Sequence, residues 1–461
     1  MLLHNRAIIV ICSLNLAACS WLGAPPPAPN TTIPDSFMSA NESYQNIENL
    51  PYLAWWQNFH DDKLNQLMES GLANNNSIAI AQSNLEQAQG QLKQVQLSWI
   101  PFVNIFAGYS SNPALGNPGV LYGILPQYSI NIFKTYKEQQ QAKYNVAVAT
   151  AMVDGMRLAL IGQISASYFT LIAEEENLNL LNALDADLQK LIDLRHQEIK
   201  IGIKDNIDIA ELLSNEKIVK AQIATTRYNL ILTQNSLRYL LNQNPGSIDN
   251  KNNFAKLDFI QFQPGGLPAN VLQNRPDIII AENQIKAAYS GVGVAYGNLF
   301  PAIQLDNFTG GANLNDPDYT PYNAAGYNDA YLNWGIKPST FGQIEAQKGA
   351  YQANIYNYIQ TVRKILKDVD TDFAANRLYK QSYLDMFKAW QDLDKKYQLQ
   401  TGLYNTGILA YPDLLLSKIA VDNLAISLNQ SKLKHAMSLV MLYQDLAGGY
   451  KYQSESKPIR N

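Results

Sequence analysis

Charge is scarce in this sequence: 16% of its 461 residues are Asp, Glu, Lys or Arg, and the formal net charge is −4. So thin a supply builds no basic face able to neutralise a run of phosphates, which excludes nucleic acid as a partner. Cysteine is nearly missing, with Cys12 and Cys19 the two copies. Both stand near the start, so the rest of the chain offers no disulfide, thiolate metal site or cysteine nucleophile. Histidine appears four times, as His4, His60, His196 and His435. None stands in H-E-x-x-H or a comparable ligand spacing, and neither a G-x-S-x-G elbow nor a phosphate loop occurs. The later histidines, like the run Glu174, Glu175 and Glu176, read as helix-surface residues. No enzyme, metal or cofactor is expected. After the N-terminal segment no eighteen apolar residues stand in a row, so no transmembrane helix is expected. Any membrane crossing then falls to a β-barrel.

What is present begins with an export signal. Arg6 supplies a basic start, and residues 7–18 (AIIVICSLNLAA) form an apolar stretch too short to span a bilayer. The segment ends Leu16-Ala17-Ala18-Cys19, which resembles a lipobox in which the cysteine receives a lipid and becomes the first residue after cleavage. Ser20 follows rather than aspartate, as in lipoproteins sorted to the outer membrane. Pro25, Pro26, Pro27 and Pro29 then make a stiff, extended tether. Tyrosine is frequent, with 27 copies, and suits both membrane interfaces and seams between helices.

The chain carries an internal duplication. Ile78, Ile80, Ala81, Leu85, Ala88 and Pro101 recur as Ile278, Ile280, Ala281, Ile285, Ala288 and Pro301, at an offset of 200. Gly202, Ile203, Asp208, Leu237 and Leu241 recur as Gly407, Ile408, Asp413, Leu442 and Leu446, at an offset of 205. Each repeat reads as helix, proline, strand, loop, strand, long helix, turn and returning helix. The first helices are expected near 74–98 and 277–298, each ended by its proline. In the strands that follow, Val103, Ile105, Ala107 and Tyr109 alternate with Asn104, Phe106, Gly108 and Ser110. Ile303 and Leu305 likewise alternate with Gln304 and Asp306, the period of a barrel wall or of a surface hairpin. Return strands are expected near 122–133 and 327–334.

Long helices come next. Residues 341–405 contain no proline, and Ile355, Tyr358, Val362, Ile365 and Val369 recur at alternating spacings of three and four. The register is expected to resume through Tyr379, Tyr383, Met386, Trp390, Leu393 and Tyr397. A helix of this length reaches roughly 100 Å. Ile164, Tyr168, Leu171, Leu178, Leu181 and Leu188 mark the matching helix over 135–201, and returning partners are expected over 207–242 and 412–446. Four strands per chain cannot close a membrane barrel, whereas a trimer supplies twelve.

Residues 267–288 (LPANVLQNRPDIIIAENQIKAA) and 293–305 (GVAYGNLFPAIQL) resemble the central signature of the TolC-like outer-membrane efflux family, of the NodT/OprM lipoprotein type. Within it, Arg275, Pro276 and Asp277 are expected to start a helix, with Asp277 able to cap it, and Phe300 and Pro301 to end it. Trp55-Trp56-Gln57-Asn58-Phe59, Trp334-Gly335, Tyr404-Asn405-Thr406-Gly407 and Leu446-Ala447-Gly448-Gly449-Tyr450 are similar to further family segments. The chain departs from it at 129–140 (SINIFKTYKEQQ), which lacks a glycine where the first long helix begins. It departs again at Leu416, where many relatives have aspartate, and at Pro412, where they have leucine.

The resemblance implies an α+β membrane protein of two repeats. A homotrimer would form a twelve-stranded outer-membrane barrel continuous with a periplasmic α-helical coiled-coil barrel. Its partners would be a periplasmic adaptor and an inner-membrane pump. It would be an efflux exit duct for small molecules; a protein-secretion duct and a non-channel coiled-coil lipoprotein are the alternatives. The segments read as signal 1–18, tether 19–50, first repeat 51–250, linker 251–269, second repeat 270–450 and tail 451–461. The gate is expected at the helical tips, with Asp205 and Asp208 at one and Tyr411 and Asp413 beside Gly407 at the other. These aspartates also suit helix capping.

Overall fold

The computed structural model describes residues 50–110, 119–203, 207–250, 254–260, 273–314 and 325–452, with 29 and 37–39. Cys19, the signal and Asp205 lie outside the described residues. The elements run α1 (Asp62–Asn74), α2 (Asn76–Leu97), β1 (Phe102–Ser110), β2 (Gly119–Ile130), α3 (Ile132–Lys200), α4 (Ile207–Leu240), α5 (Pro276–Gly297), β3 (Ala302–Leu314), β4 (Ala325–Asn333), α6 (Ser339–Asn405) and α7 (Tyr411–Asp445). They divide into two compact units that cut across the sequence repeats: one gathers Gln82–Met152 and Asp277–Val362, the other Thr32–Ala81, Val153–Pro276 and Arg363–Asn461.

In the first unit the two hairpins join into one antiparallel sheet of order β1-β2-β3-β4. The ladder between β2 and β3 omits Leu125 and Pro126 and resumes at Gln127↔Asp306, because proline has no N–H to give. Pairing puts Val103, Ile105, Ile124 and Leu305 on one face, and Asn104, Gln127, Asp306 and Asp329 on the other. Ile105 is 79% exposed, Val103 55% and Leu332 67%, so the apolar face has no cover among the described residues.

Below the sheet the repeats share a device. The carbonyl of Trp99 accepts from the Tyr128 hydroxyl at 3.0 Å, and that of Leu299 from the Trp334 indole at 2.9 Å. Each helix end that precedes a proline is thus satisfied by an aromatic group from or beside a returning strand. Where the long α3 begins without a glycine, Asn131 makes the joint. Its Oδ1 accepts from Lys134 N–H at 3.0 Å, and its amide donates to the carbonyls of Gly297 (2.8 Å) and Phe300 (2.9 Å). Gly297 lies so near Lys134 that a Cβ there would stand 2.8 Å from its Cα. The rings of Phe133 and Phe300 pack at 4.4 Å.

The second unit holds an aromatic core. Trp55, Trp56, Phe59, Leu64, Met68, Ile164, Phe169, Phe254, Leu439 and Tyr443 are buried together. Trp55 stacks on Tyr443 at 4.8 Å, and Gly449 and Lys451 N–H donate to the carbonyls of Leu50 and Pro51, tying the two ends of the described chain. Helix α1, placed before the first helix expected from the sequence, is capped by Asp61, whose Oδ1 accepts from Lys63 and Leu64 N–H at 3.0 Å each. It buries Leu64, Leu67, Met68 and Gly71, one face of a helix. The α3–α4 hairpin closes on Leu181, Leu184, Leu188, Val219 and Ile223.

One expectation needs correcting. The α6 stripe does not resume at Tyr379, which is 42% exposed; it runs through buried Phe373 and Asn376, whose amide donates to Ser438 at 3.4 Å. By length and composition α3 contains a segment apolar enough to cross a bilayer, with mean hydropathy 1.3 and half of it buried within the chain. Its buried Ile161, Ile164, Tyr168, Phe169 and Leu171 belong to the aromatic core, which accounts for that apolarity without a membrane.

Candidate functional site

The two tip turns are copies of one another. Gly202 and Gly407 both have φ +76°. At the first, Gly202 N–H donates to Ile199 at 3.0 Å and Ile203 N–H to Glu198 at 2.9 Å. At the second, Gly407 donates to Tyr404 at 2.9 Å and Ile408 to Leu403 at 3.0 Å. This is the doubly bonded helix stop that favours a left-handed residue, which glycine adopts without a steric cost. The same stop recurs at the far ends of the returning helices, at Asn242 (φ 56°) and Ala447 (φ 57°).

Beyond the second turn, α7 starts at Tyr411 with Pro412 in its opening turn. Its N-cap residue, Ala410, makes no side-chain cap, and Asp413 stands in the first turn, exposed. The Asp413 carboxylate has no hydrogen bond or ion pair among the described residues; the helix dipole favours it there, and it caps nothing. Tyr411 packs on Tyr404 with centroids 5.4 Å apart. Asp208 occupies the first turn of α4.

Sequence reasoning missed a charged cluster between α3 and α7. Asp187 and Asp422 are buried, at 9% and 4% exposure. Lys190 donates to Asp187 at 2.7 Å, and Lys418 bonds Asp422. Burial raises the pKa of Asp422, Lys418 opposes that, and the neighbouring Asp187 adds to it. Hydrogen bonding to Asp187 raises that of Lys190. Each lysine lies three or four residues from its acid, so in the sequence both look like surface helix pairs. Only the packing of a helix from one repeat on a helix from the other brings the two acids together.

The signature residues form a second cluster. Arg275 is buried, bonds the Asp445 carbonyl that ends α7 and lies 3.6 Å from the Asp445 carboxylate. Asp372 of α6 has its pKa pushed up to about 8 by burial and by the carboxylates of Asp445 and Asp368, against the pull of Arg275. Pro276 is the first residue of α5, where a missing N–H costs nothing. Asp277, one position inside, accepts from Ile278 N–H at 3.1 Å, so it assists the helix start without being its N-cap. Phe300 and Pro301 follow the end of α5 and lead into β3.

Among the described residues no group of three or more His, Cys, Asp or Glu could hold a metal ion. His435, expected on a helix surface, is fully buried, with neither ring nitrogen hydrogen-bonded.

Comparison with known proteins places this architecture. Residues 67–243 match the family model described as outer membrane efflux protein. The chain is 24% identical over 436 residues to the toluene efflux pump outer membrane protein TtgC of Pseudomonas putida, covering 87% of this chain and 86% of that one. It is 23% identical to the probable outer membrane lipoprotein SilC of Salmonella typhimurium, covering 94% and 96%. In structure it resembles the outer-membrane channel OprN, with TM-score 0.78 and 20% identity over 93% of this chain and 99% of that one. The open state of the Neisseria gonorrhoeae MtrE outer membrane channel gives TM-score 0.78 and 22% identity, over 93% and 98%. The four strands and the long helices have the fold of these outer-membrane channels, and residues 67–243 are similar to the outer membrane efflux proteins.

Proposed function

We propose that three copies of this chain form the outer-membrane exit duct of a tripartite efflux system, lipid-anchored through Cys19. Energy comes from an inner-membrane pump, and a periplasmic adaptor opens the tips to pass small molecules. The observation that carries this reading is the sheet. Among the described residues β1 and β4 each pair on one side only, and the apolar face they share is exposed. Unpaired edges and an uncovered apolar face are costly in water. Three such sheets joined edge to edge make a closed wall of twelve strands whose apolar face meets lipid and whose Asn104, Gln127 and Asp306 face meets water.

The gate in this reading is the pair of tips. Asp413 and Asp208 of three chains converge on the axis, where like charges repel unless cations or basic partners neutralise them. The cluster of Asp187, Lys190, Lys418 and Asp422 holds the two hairpins of one chain together near those tips.

Mass measurement of the detergent-purified protein tests the assembly and the anchor together. The expected particle is three chains, each beginning at Cys19 and carrying three acyl chains, since two or more are needed for stable anchoring. A folded monomer or dimer with full β-content would refute the barrel, and an unmodified terminus beyond Cys19 would refute the anchor.

A further inference from the structure

A cavity of about 230 Å³ lies in the second unit among α3, α6 and α7. One wall is aromatic: Tyr383, Phe387 and Trp390 stand on successive turns of α6, with Phe387 stacked on Trp390 at 6.0 Å. Lys432 of α7 lines the cavity too. This lysine is 6% exposed and makes no ion pair among the described residues. Its ammonium donates to the Ala255 carbonyl at 2.7 Å and lies over the rings of Phe254 and Phe259, at 5.3 and 5.9 Å. An ammonium has three donors, and one carbonyl takes one of them. A cation held this deep without a carboxylate partner is expensive.

We propose that this cavity binds a small aromatic carboxylate or sulfonate, its ring against Tyr383 and Trp390 and its charge on Lys432. The chemistry is selective on both counts. A flat ring matches the aromatic wall, and an anion supplies Lys432 with a charge partner in place of the water that burial removed. Burial lowers the pKa of Lys432 to about 8, with Asp258 and Glu176 opposing the shift, so the ammonium is the main form at neutral pH. His435, Lys380 and Tyr383 are the other titratable groups near Asp258; burial holds His435 neutral, lowers the pKa of Lys380 and raises that of Tyr383. Glu176 lines the cavity and repels an anion, which orients the bound charge towards Lys432. The site is independent of the duct reading, because its occupancy is measured on the folded protein whether or not a channel conducts.

The test uses the full chain in detergent, titrated with 2-naphthoate and, as the uncharged control, 2-naphthylmethanol. Naphthoate should bind saturably, about tenfold tighter than the alcohol, as one charge-assisted contact provides. Lys432→Met should weaken naphthoate by about tenfold and leave the alcohol unchanged. Lys432→Arg should retain binding, and Glu176→Gln should tighten it. Naphthoate affinity should fall between about pH 7 and about pH 9, as Lys432 loses its proton. If Lys432→Met does not fold, the pH series and Trp390→Ala, which should weaken both probes, still decide. Equal binding of the two probes, affinity flat with pH, or no saturable binding would overturn the proposal.

Discussion

Single residues divide into those whose role local backbone dictates and those whose role depends on distant packing. Gly407 is of the first kind. Its φ of +76° and open surroundings mean that Gly407→Ala adds no clash, only the left-handed backbone penalty. The variant should be less stable by about 1–2 kcal/mol in thermal or denaturant unfolding, and unchanged stability would show that the turn relaxes. The glycine was legible because the duplication paired it with Gly202. His435 is of the second kind. Nothing in its helix says that the Phe259 and Tyr383 rings enclose it, at 6.5 and 6.3 Å. Burial lowers its pKa from 6.5 to about 4, so the folded chain holds it neutral while the unfolded chain protonates it below 6.5. Its contribution to stability is therefore lost as pH falls from 6.5 towards 4. His435→Leu should remove that loss, leave no unpaired ring nitrogen, and stabilise the fold by about 1 kcal/mol at neutral pH. Melting curves at both pH values check this; a variant that stays as acid-sensitive as the parent would contradict it.

Among elements, periodicity and proline placement located the long helices and both hairpins, because these signals are local. Three features escaped them. Helix α1 is short and follows a tryptophan-rich turn, so its four buried positions do not stand out as a period. In α6 Tyr379 faces outward, while Asn376, seven residues after Val369, is buried against Ser438 of another helix. The α3 joint rests on Asn131, whose partners Gly297 and Phe300 come from the other repeat. The same limit applied to the signature. Arg275, Pro276 and Asp277 were readable as a helix start, but the reach of Arg275 to Asp445, and of Asp445 to Asp372, needed the fold. That contact makes a prediction. Asp372 has its pKa raised from 3.8 to about 8, so the folded state keeps a proton that the unfolded state releases. Stability attributable to this group is full below about 3.8 and is lost as pH rises towards 8. Asp372→Asn should flatten the dependence and raise the melting temperature at alkaline pH by a few degrees. A variant that melts with the same pH profile would assign that dependence elsewhere.

At the scale of the molecule, the number of strands and the order of the repeats announced an incomplete object. The described residues form two helical hairpins, one sheet with two unpaired edges, and an apolar face without cover among them. The role of the tip aspartates was less legible. Asp413 could be named from its spacing to Asp208, but the sequence left capping and gating both open, and the exposed, uncapping carboxylate of Asp413 now weighs against capping. The paired acids behind it, Asp187 and Asp422, needed two helices from different repeats to meet. The most direct test of the duct is single-channel recording from purified trimers in planar bilayers, with Asp208→Ala and Asp413→Ala combined for comparison. The parent should give discrete, mostly closed, cation-preferring openings, and the double variant should be leakier and less selective for cations. Folded trimers of both proteins that leave the bilayer without discrete conductance would contradict the account.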